Sequence, residues 1–299
     1  MAGLLNQFGY LCFALLTAAP MTYPSKVEES LFPDYVTATE SFDVSPALKW
    51  AGGKRWLLPQ LQPIWQKFAT RRLVEPFVGG MGVALGLKPK RALLSDINEH
   101  LINFYQWLQK GLLVEMEMRN EETAFYEARL RFNHLIRTNQ QYSKEAASLF
   151  YYLNRTCFNG LCRFNSKNEF NVPFGRYKKI NYTRDFTYYT ATVNRWEIRH
   201  NSFEFSNLGD HDFLYVDPPY DTPFTQYSKE DFAWADQEKL ANWLCQTDTP
   251  MVVTNQATER IMQLYQDLGF SVTTLLAPRR IASSGDRTPA LEMLATKNL

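Results

Sequence analysis

Three times along the sequence a short apolar run stops at a carboxylate or a polar turn and hands over to apolar residues at helical spacing. The stretches are RLVEPFVGGMGVALGL (72–87), RALLSDINEHLINFYQWL (91–108) and PMVVTNQATERIMQLYQDLGF (250–270). A period of two giving way to a period of 3.6 within one short stretch is the pattern of strands connected by crossover helices. The expectation is therefore an α/β fold built from β-α-β units. A further apolar run, FLYV (213–216), carries DPPY directly after it, and the strand after 270, SVTTLLA, completes a mixed sheet. At 299 residues, 45% apolar and 21% charged, the chain is long enough for one large domain or a domain with an insertion.

Several function classes drop out early. Cys12, Cys157, Cys162 and Cys245 are scattered and never form a C-x-x-C pair, so neither a disulfide scaffold nor a thiolate metal site is expected, and a reducing compartment fits. His100, His134, His200 and His211 lack the spacing of a zinc-binding helix, and no metal is expected. With 32 basic and 31 acidic residues the whole-chain charge announces no polyanionic partner, so such a partner has to be met by a local patch. The apolar run Phe8–Ala19 resembles the core of a secretion signal, but the first basic residue is Lys26 and the run is too short to span a bilayer. It reads as an accessory segment, with Met21 as an alternative start, and no membrane association is expected.

The chemistry lies in the turns. In LVEPFVGGMG, glycines between strand and helix allow a close backbone approach to a ligand and leave amide donors unpaired at a helix start. Asp96, at the end of the next strand, is placed either to accept from ribose hydroxyls or to cap the following helix. The glycines do not match the G-x-G-x-x-G dinucleotide fingerprint, which makes a dehydrogenase the weaker reading. In KWAGGK, Lys54 is either a residue of a site or a surface lysine at a helix entry. In DPPY, Asp217 and the carbonyl of Pro218 are two acceptors held by prolines in a fixed geometry, and Tyr220 can stack on a planar base. That set suits an exocyclic amine whose lone pair is delocalised into a ring, because acceptors on its hydrogens return electron density to nitrogen.

KWAGGK, LVEPFVGG, SDIN and DPPY, in this order and with a long segment between the third and fourth, resemble the adenine-specific DNA methyltransferases of the Dam type over most of residues 47–299. The resemblance implies a Rossmann-like sheet that uses S-adenosylmethionine, with an inserted, mainly helical target-recognition domain. It implies cofactor contacts at Trp50, Lys54, Phe77, Gly79, Asp96 and Asp217, with Asp96 on the ribose, and catalysis at Asp217, Pro218, Pro219 and Tyr220. One position departs from the family's F-x-G-x-G turn, because Met81 stands where its second glycine is expected.

Residues 143–185 read as an amphipathic helix followed by a loop or hairpin. Between 151 and 185 the basic residues Arg155, Arg163, Lys167, Arg176, Lys178, Lys179 and Arg184 face only Glu169 and Asp185, and aromatics are interleaved with them. That is the local patch, suited to phosphate and base contacts. NGLCR and FNVPFGRY resemble the recognition segment of the same family, whose members read GATC. The resemblance implies DNA contacts at Lys49, Phe158, Asn159, Leu161, Arg163, Pro173 and Arg176, with Arg163 bidentate to guanine and Phe158 a wedge where the family often has tyrosine. Arg279, Arg280 and Arg287 are further candidates for backbone contacts.

The expected organisation is an arm over 1–45, a catalytic domain over 46–114 and 190–299, and a recognition domain over 115–189. The expected activity is methyl transfer to N6 of a flipped adenine in duplex DNA, by a monomer, in the cytoplasm of a bacterium or of a phage-infected cell. Cytosine-N4 methylation and a silent DNA-binding regulator are the alternatives; the acid at 217 disfavours the first, since cytosine enzymes more often carry serine there.

Overall fold

The computed structural model describes residues 44–204, 208–221, 232–278 and 289–299, all within the unit Glu40–Leu299. Residues 1–43 of the arm expected over 1–45, and Arg279, Arg280 and Arg287, lie outside the described residues. A 3-10 turn at Arg55–Leu57 leads into α1 (Leu58–Phe68), followed by β1 (Arg72–Glu75), α2 (Gly82–Leu87), β2 (Ala92–Asp96) and α3 (Glu99–Gln109). Then come α4 (Glu122–Arg137), α5 (Lys144–Thr156), the short α6 (Thr190–Val193) and β3 (Glu197–His200). The chain continues with β4 (Asp212–Val216), α7 (Trp234–Leu244), β5 (Met251–Gln256), α8 (Glu259–Asp267), β6 (Ser271–Ala277) and β7 (Ala290–Lys297).

The seven strands form one sheet in the order β3-β2-β1-β4-β5-β7-β6. All neighbours are parallel except β7, which runs antiparallel to both β5 and β6. β4 is buried along its whole length and β5 up to Asn255, as expected of parallel strands covered on both faces. The centre is pinned by register: Arg72 lies opposite Asp212, and its Nε and a terminal nitrogen each donate to that buried carboxylate at 2.8 Å. Trp65 and Phe68 of α1 pack on Phe213 at 5.5 and 5.3 Å between ring centroids, closing one face.

Strand order reverses between β1 and β4, since β2 lies on one side of β1 and β4 on the other. A crevice opens outside the carboxyl ends of the strands at such a reversal. The turns after β1, β2 and β4 all emerge there, and so does the start of the reversed strand β7, where Glu292 pairs with Gln256 at the end of β5.

The amphipathic helix expected from residue 143 needs correction. Every residue of α5 from Ala146 to Asn154 is buried, because α3 and α4 both pack on it and Phe186 stands edge-on to Tyr151 at 5.1 Å. Its polar residues Ser148 and Asn154 face protein rather than water. Among the described residues no helix is long and apolar enough to cross a membrane.

Candidate active site

The crevice holds a cavity of about 650 Å3 whose walls include Trp50, Lys54, Glu75, Phe77, Gly79, Asp96, Asp217 and Tyr220. That size is within the range of small-molecule sites. The three stretches KWAGGK, FVGGMG and DPPY thus come together although more than a hundred residues separate the first from the last.

The glycine turn is shaped by Trp50. A Cβ at Gly79 would lie 2.7 Å from the indole Nε1, and one at Gly80 would lie 2.8 Å from the Trp50 Cβ, so neither position has room for a side chain. Gly79 also has φ of +43°, and its carbonyl accepts from the Tyr105 hydroxyl at 2.6 Å. Met81, the departure from the glycine pattern, still adopts the left-handed conformation that glycine favours, with φ of 58°, and its side chain is buried.

Asp96 does not cap α3. Asn98 does, its Oδ1 accepting from the amides of His100 and Leu101 at 3.1 Å each. Asp96 instead accepts from Gly79 N at 3.1 Å and Asn98 N at 3.0 Å, tying the end of β2 to the glycine turn while still lining the cavity. Burial pushes its carboxyl up, and those amide bonds oppose the shift.

Lys54 is no surface lysine: it is 4% exposed. Its Nζ donates to Gly52 O at 2.6 Å, lies 3.1 Å from Asp217 Oδ2, and stands 4.7 Å from the centroid of the Tyr220 ring. The other Asp217 oxygen accepts from Thr254 Oγ1 of β5 at 2.8 Å, so the carboxylate is fixed from both sides. The Pro219 carbonyl is taken by Gln237 Nε2 at 2.8 Å, whereas the Pro218 carbonyl accepts no hydrogen bond among the described residues. Tyr220 donates to Glu292 Oε2 at 2.6 Å; burial, with the charges of Asp217 and Glu292 next, holds its phenol well above the ordinary range, so it stays a donor.

Glu75, Phe203 and Phe232 are among the cavity residues not singled out in the sequence. Glu75 ends β1, is fully buried, and has one carboxylate oxygen without a partner among the described residues; burial, then the nearby Asp217, raises its pKa well above the usual range. Phe203 stacks on Phe77 at 5.7 Å, and Phe232 meets Phe77 edge-on at the same distance, giving one wall a flat apolar slot. The turn that follows DPPY is clamped from α8 as well: Asp221 accepts from Arg260 Nε at 2.6 Å and Thr258 Oγ1 at 3.1 Å. Only Glu75 had a visible signal, because it stands inside LVEPFVGG.

The residues expected to meet DNA do not line the cavity: all but Lys49, which precedes the cavity residue Trp50, lie in the loop after α5. Phe158, 44% exposed, sits at the end of α5 in a 3-10 turn held by its amide's bond to Pro173 O at 2.9 Å. Asn159 is left-handed at φ of 53°, and Leu161 packs on the core. Arg163 is exposed and bonded to Asn171 Oδ1 at 2.7 Å; Arg176 is exposed and 3.3 Å from Glu122 Oε1. Lys49 is half-buried, with Nζ on Arg155 O at 3.1 Å and 3.7 Å above the Tyr177 ring; burial, then the Arg155 charge, lowers its pKa. The buried amide of Asn154 in α5 grips the Lys49 backbone in both directions, accepting from its N at 2.9 Å and donating to its O at 2.8 Å. KWAGGK is therefore hitched to the helix that carries the basic loop.

The chemistry of the walls suits a cationic, nucleoside-bearing ligand. Among the described residues the walls carry the acids Asp96, Asp217 and Asp236 against one lysine, Glu75 adds an oxygen without a partner on a carboxyl whose raised pKa favours the neutral acid, and the aromatic slot is flat.

Residues 50–280 match the family model of the D12 class N6 adenine-specific DNA methyltransferases. The chain is 34% identical over 80% of its length to the DNA N-6-adenine-methyltransferase of Escherichia phage P1, of which it spans 33%. It is 32% identical over 85% of its length to the type II methyltransferase M1.LlaDCHI of Lactococcus lactis subsp. cremoris, spanning 95% of that protein. It is 34% identical over 73% of its length to the DNA adenine methylase of Serratia marcescens, spanning 86% of it. With a seven-stranded sheet of mostly parallel strands, three motif turns gathered at one crevice, and this extent of similarity, the chain belongs to the D12 class of N6 adenine-specific DNA methyltransferases.

Proposed function

We propose that the protein transfers a methyl group from S-adenosylmethionine to N6 of an adenine turned out of duplex DNA, within GATC. The observation that carries the reading is the pair of acceptors at the end of β4: the Asp217 carboxylate, fixed by Lys54 and Thr254, beside the Pro218 carbonyl, which no described residue engages, and the Tyr220 ring. S-adenosylmethionine supplies an electrophilic carbon on its sulfonium. Glu75, Asp96, Trp50, Phe77 and the Gly79 turn would hold it, with Asp96 on the ribose hydroxyls and the Phe77 slot on its flat ring. Asp217 and Pro218 would accept from the two hydrogens of the adenine amine, returning its lone pair to nitrogen, while Tyr220 stacks on the ring. No strong base is needed before transfer; alignment and acceptors in place before reaction lower the barrier. Asp217 is then available when the methylated nitrogen sheds its proton.

A base paired in a duplex cannot reach such a cavity, so extrusion costing roughly a few kcal/mol is required. Phe158, exposed at the tip of its turn, would fill the vacated stack, and Arg163 would exchange Asn171 for a guanine edge. The test is expression in a host without adenine methylation. Its DNA becomes a substrate for a nuclease that requires methylated GATC and resists one that the methyl group blocks. Asp217→Ala reverses both patterns in a folded protein. Normal methylation by that variant removes the role given to the acid; methylated adenine at other sequences removes GATC.

A further inference from the structure

Glu292 enters the site from the far end of the sequence, and no motif pointed to it. It lies near the start of β7, which runs against its neighbours and so brings its beginning to the edge where the parallel strands end. The side chain is 15% exposed. One oxygen accepts from the Tyr220 hydroxyl at 2.6 Å and stands 3.9 Å from Lys54 Nζ. Tyr220 is thus held at its hydroxyl by Glu292 and at its face by the Lys54 ammonium, 4.7 Å from the ring centroid.

Two consequences follow from this arrangement. An aromatic ring on a turn rotates about two side-chain bonds; anchoring its hydroxyl fixes the plane against which a flat ligand stacks. A lysine near two carboxylates is shared between them, so Asp217 keeps more of its capacity to accept from another donor than it would as the sole partner. We infer that Glu292 is a positioning residue for methyl transfer, acting through Tyr220 and Lys54 without touching the base. This rests on the reading of Tyr220 as the plate on which the target adenine stacks.

The test combines single-turnover methylation of a GATC duplex with 2-aminopurine emission from the target position, for the wild type, Glu292→Ala, Glu292→Gln, Tyr220→Phe and Glu292→Ala/Tyr220→Phe. Loss of alignment in Glu292→Ala is expected to slow transfer roughly ten- to hundred-fold. DNA affinity stays unchanged, and emission rises because the extruded base no longer stacks on a fixed ring. Glu292→Gln, which keeps an acceptor for the phenol, retains the larger part of the rate. Tyr220→Phe reproduces much of the defect, and adding Glu292→Ala to it costs little more, the non-additivity of residues that act through one another. A wild-type rate and emission in Glu292→Ala, or additive losses in the double variant, would overturn the inference. Should Glu292→Ala fail to fold, Glu292→Gln and Tyr220→Phe decide: a large loss of rate in Glu292→Gln with none in Tyr220→Phe overturns it. Failure of the stacking reading itself looks different, because emission with the wild-type protein would then already be high and would not change in Tyr220→Phe or Glu292→Ala.

Discussion

Polar groups are held in opposite ways in the cavity and in the loop after α5. Around the cavity the partners come from distant parts of the chain: Asp217 is fixed by Lys54 and Thr254, Tyr220 by Glu292, and Pro219 by Gln237. In the loop the partners are close in sequence or exposed, as with Arg163 on Asn171, Arg137 on Glu169 and Arg176 on Glu122. Exposed pairs of this kind contribute about 0–1 kcal/mol, so exchanging them for phosphates or base edges costs little. Buried pairs lose much more when one member is removed. The cavity is set before a ligand arrives, and the loop is free to trade its contacts.

The connection between the two regions is the place to break this contrast. Asn154→Ala removes the amide that clasps the Lys49 backbone and leaves buried donors and acceptors unpaired, for an expected loss of ~2–4 kcal/mol. Urea denaturation measures it, and methylation should fall with stability; an unchanged midpoint would mean that the two regions are joined elsewhere. Arg163→Ala sharpens the contrast from the loop side, with ~1–3 kcal/mol of discrimination lost at one guanine of the site. Competition between cognate and substituted duplexes reads this, and equal losses on all sequences would assign Arg163 to phosphate.

The smallest effect per unit of pH belongs to His100, at the seam between α3 and the loop. Burial lowers its pKa from 6.5 to about 4, against the opposing pull of the Glu99 charge. Its ring stacks on Phe164 at 4.7 Å and meets Phe132 edge-on at 5.2 Å, and Asn168 and Tyr142 bind Glu99 beside it. Because the folded pKa is depressed, the unfolded chain holds more protons between pH 6.5 and 4, and stability falls as pH falls through that window, by at most ~1.4 kcal/mol per unit. Urea titrations of the wild type and His100→Gln should diverge below pH 6.5, and parallel curves would place the proton elsewhere.

The legible parts of the molecule were those where local pattern and tertiary role coincide. Apolar runs closing on Glu75, Asp96 and Asp217 are strands because the period changes there, and the glycines at 79 and 80 are required by a contact with Trp50. Two kinds of feature escaped. Residues brought in by the reversed strand or by β5, Glu292 and Thr254, carry no signal near DPPY. Burial of α5 escaped too, since an apolar stripe in sequence cannot show that a second and third element cover its remaining faces. For Lys54, which the family resemblance already named, only the fold shows that it is buried.

Met81 has a thermodynamic consequence of its own. A left-handed residue with a side chain sits uphill by about 1 kcal/mol relative to glycine, and the anchoring of its thioether chain in the core offsets that. In the unfolded ensemble such a residue also samples fewer backbone states than glycine, so less disorder is lost when the turn takes shape. The turn between β1 and α2 is thus stabilised in part through the unfolded chain, by a residue with fewer states to lose than glycine has.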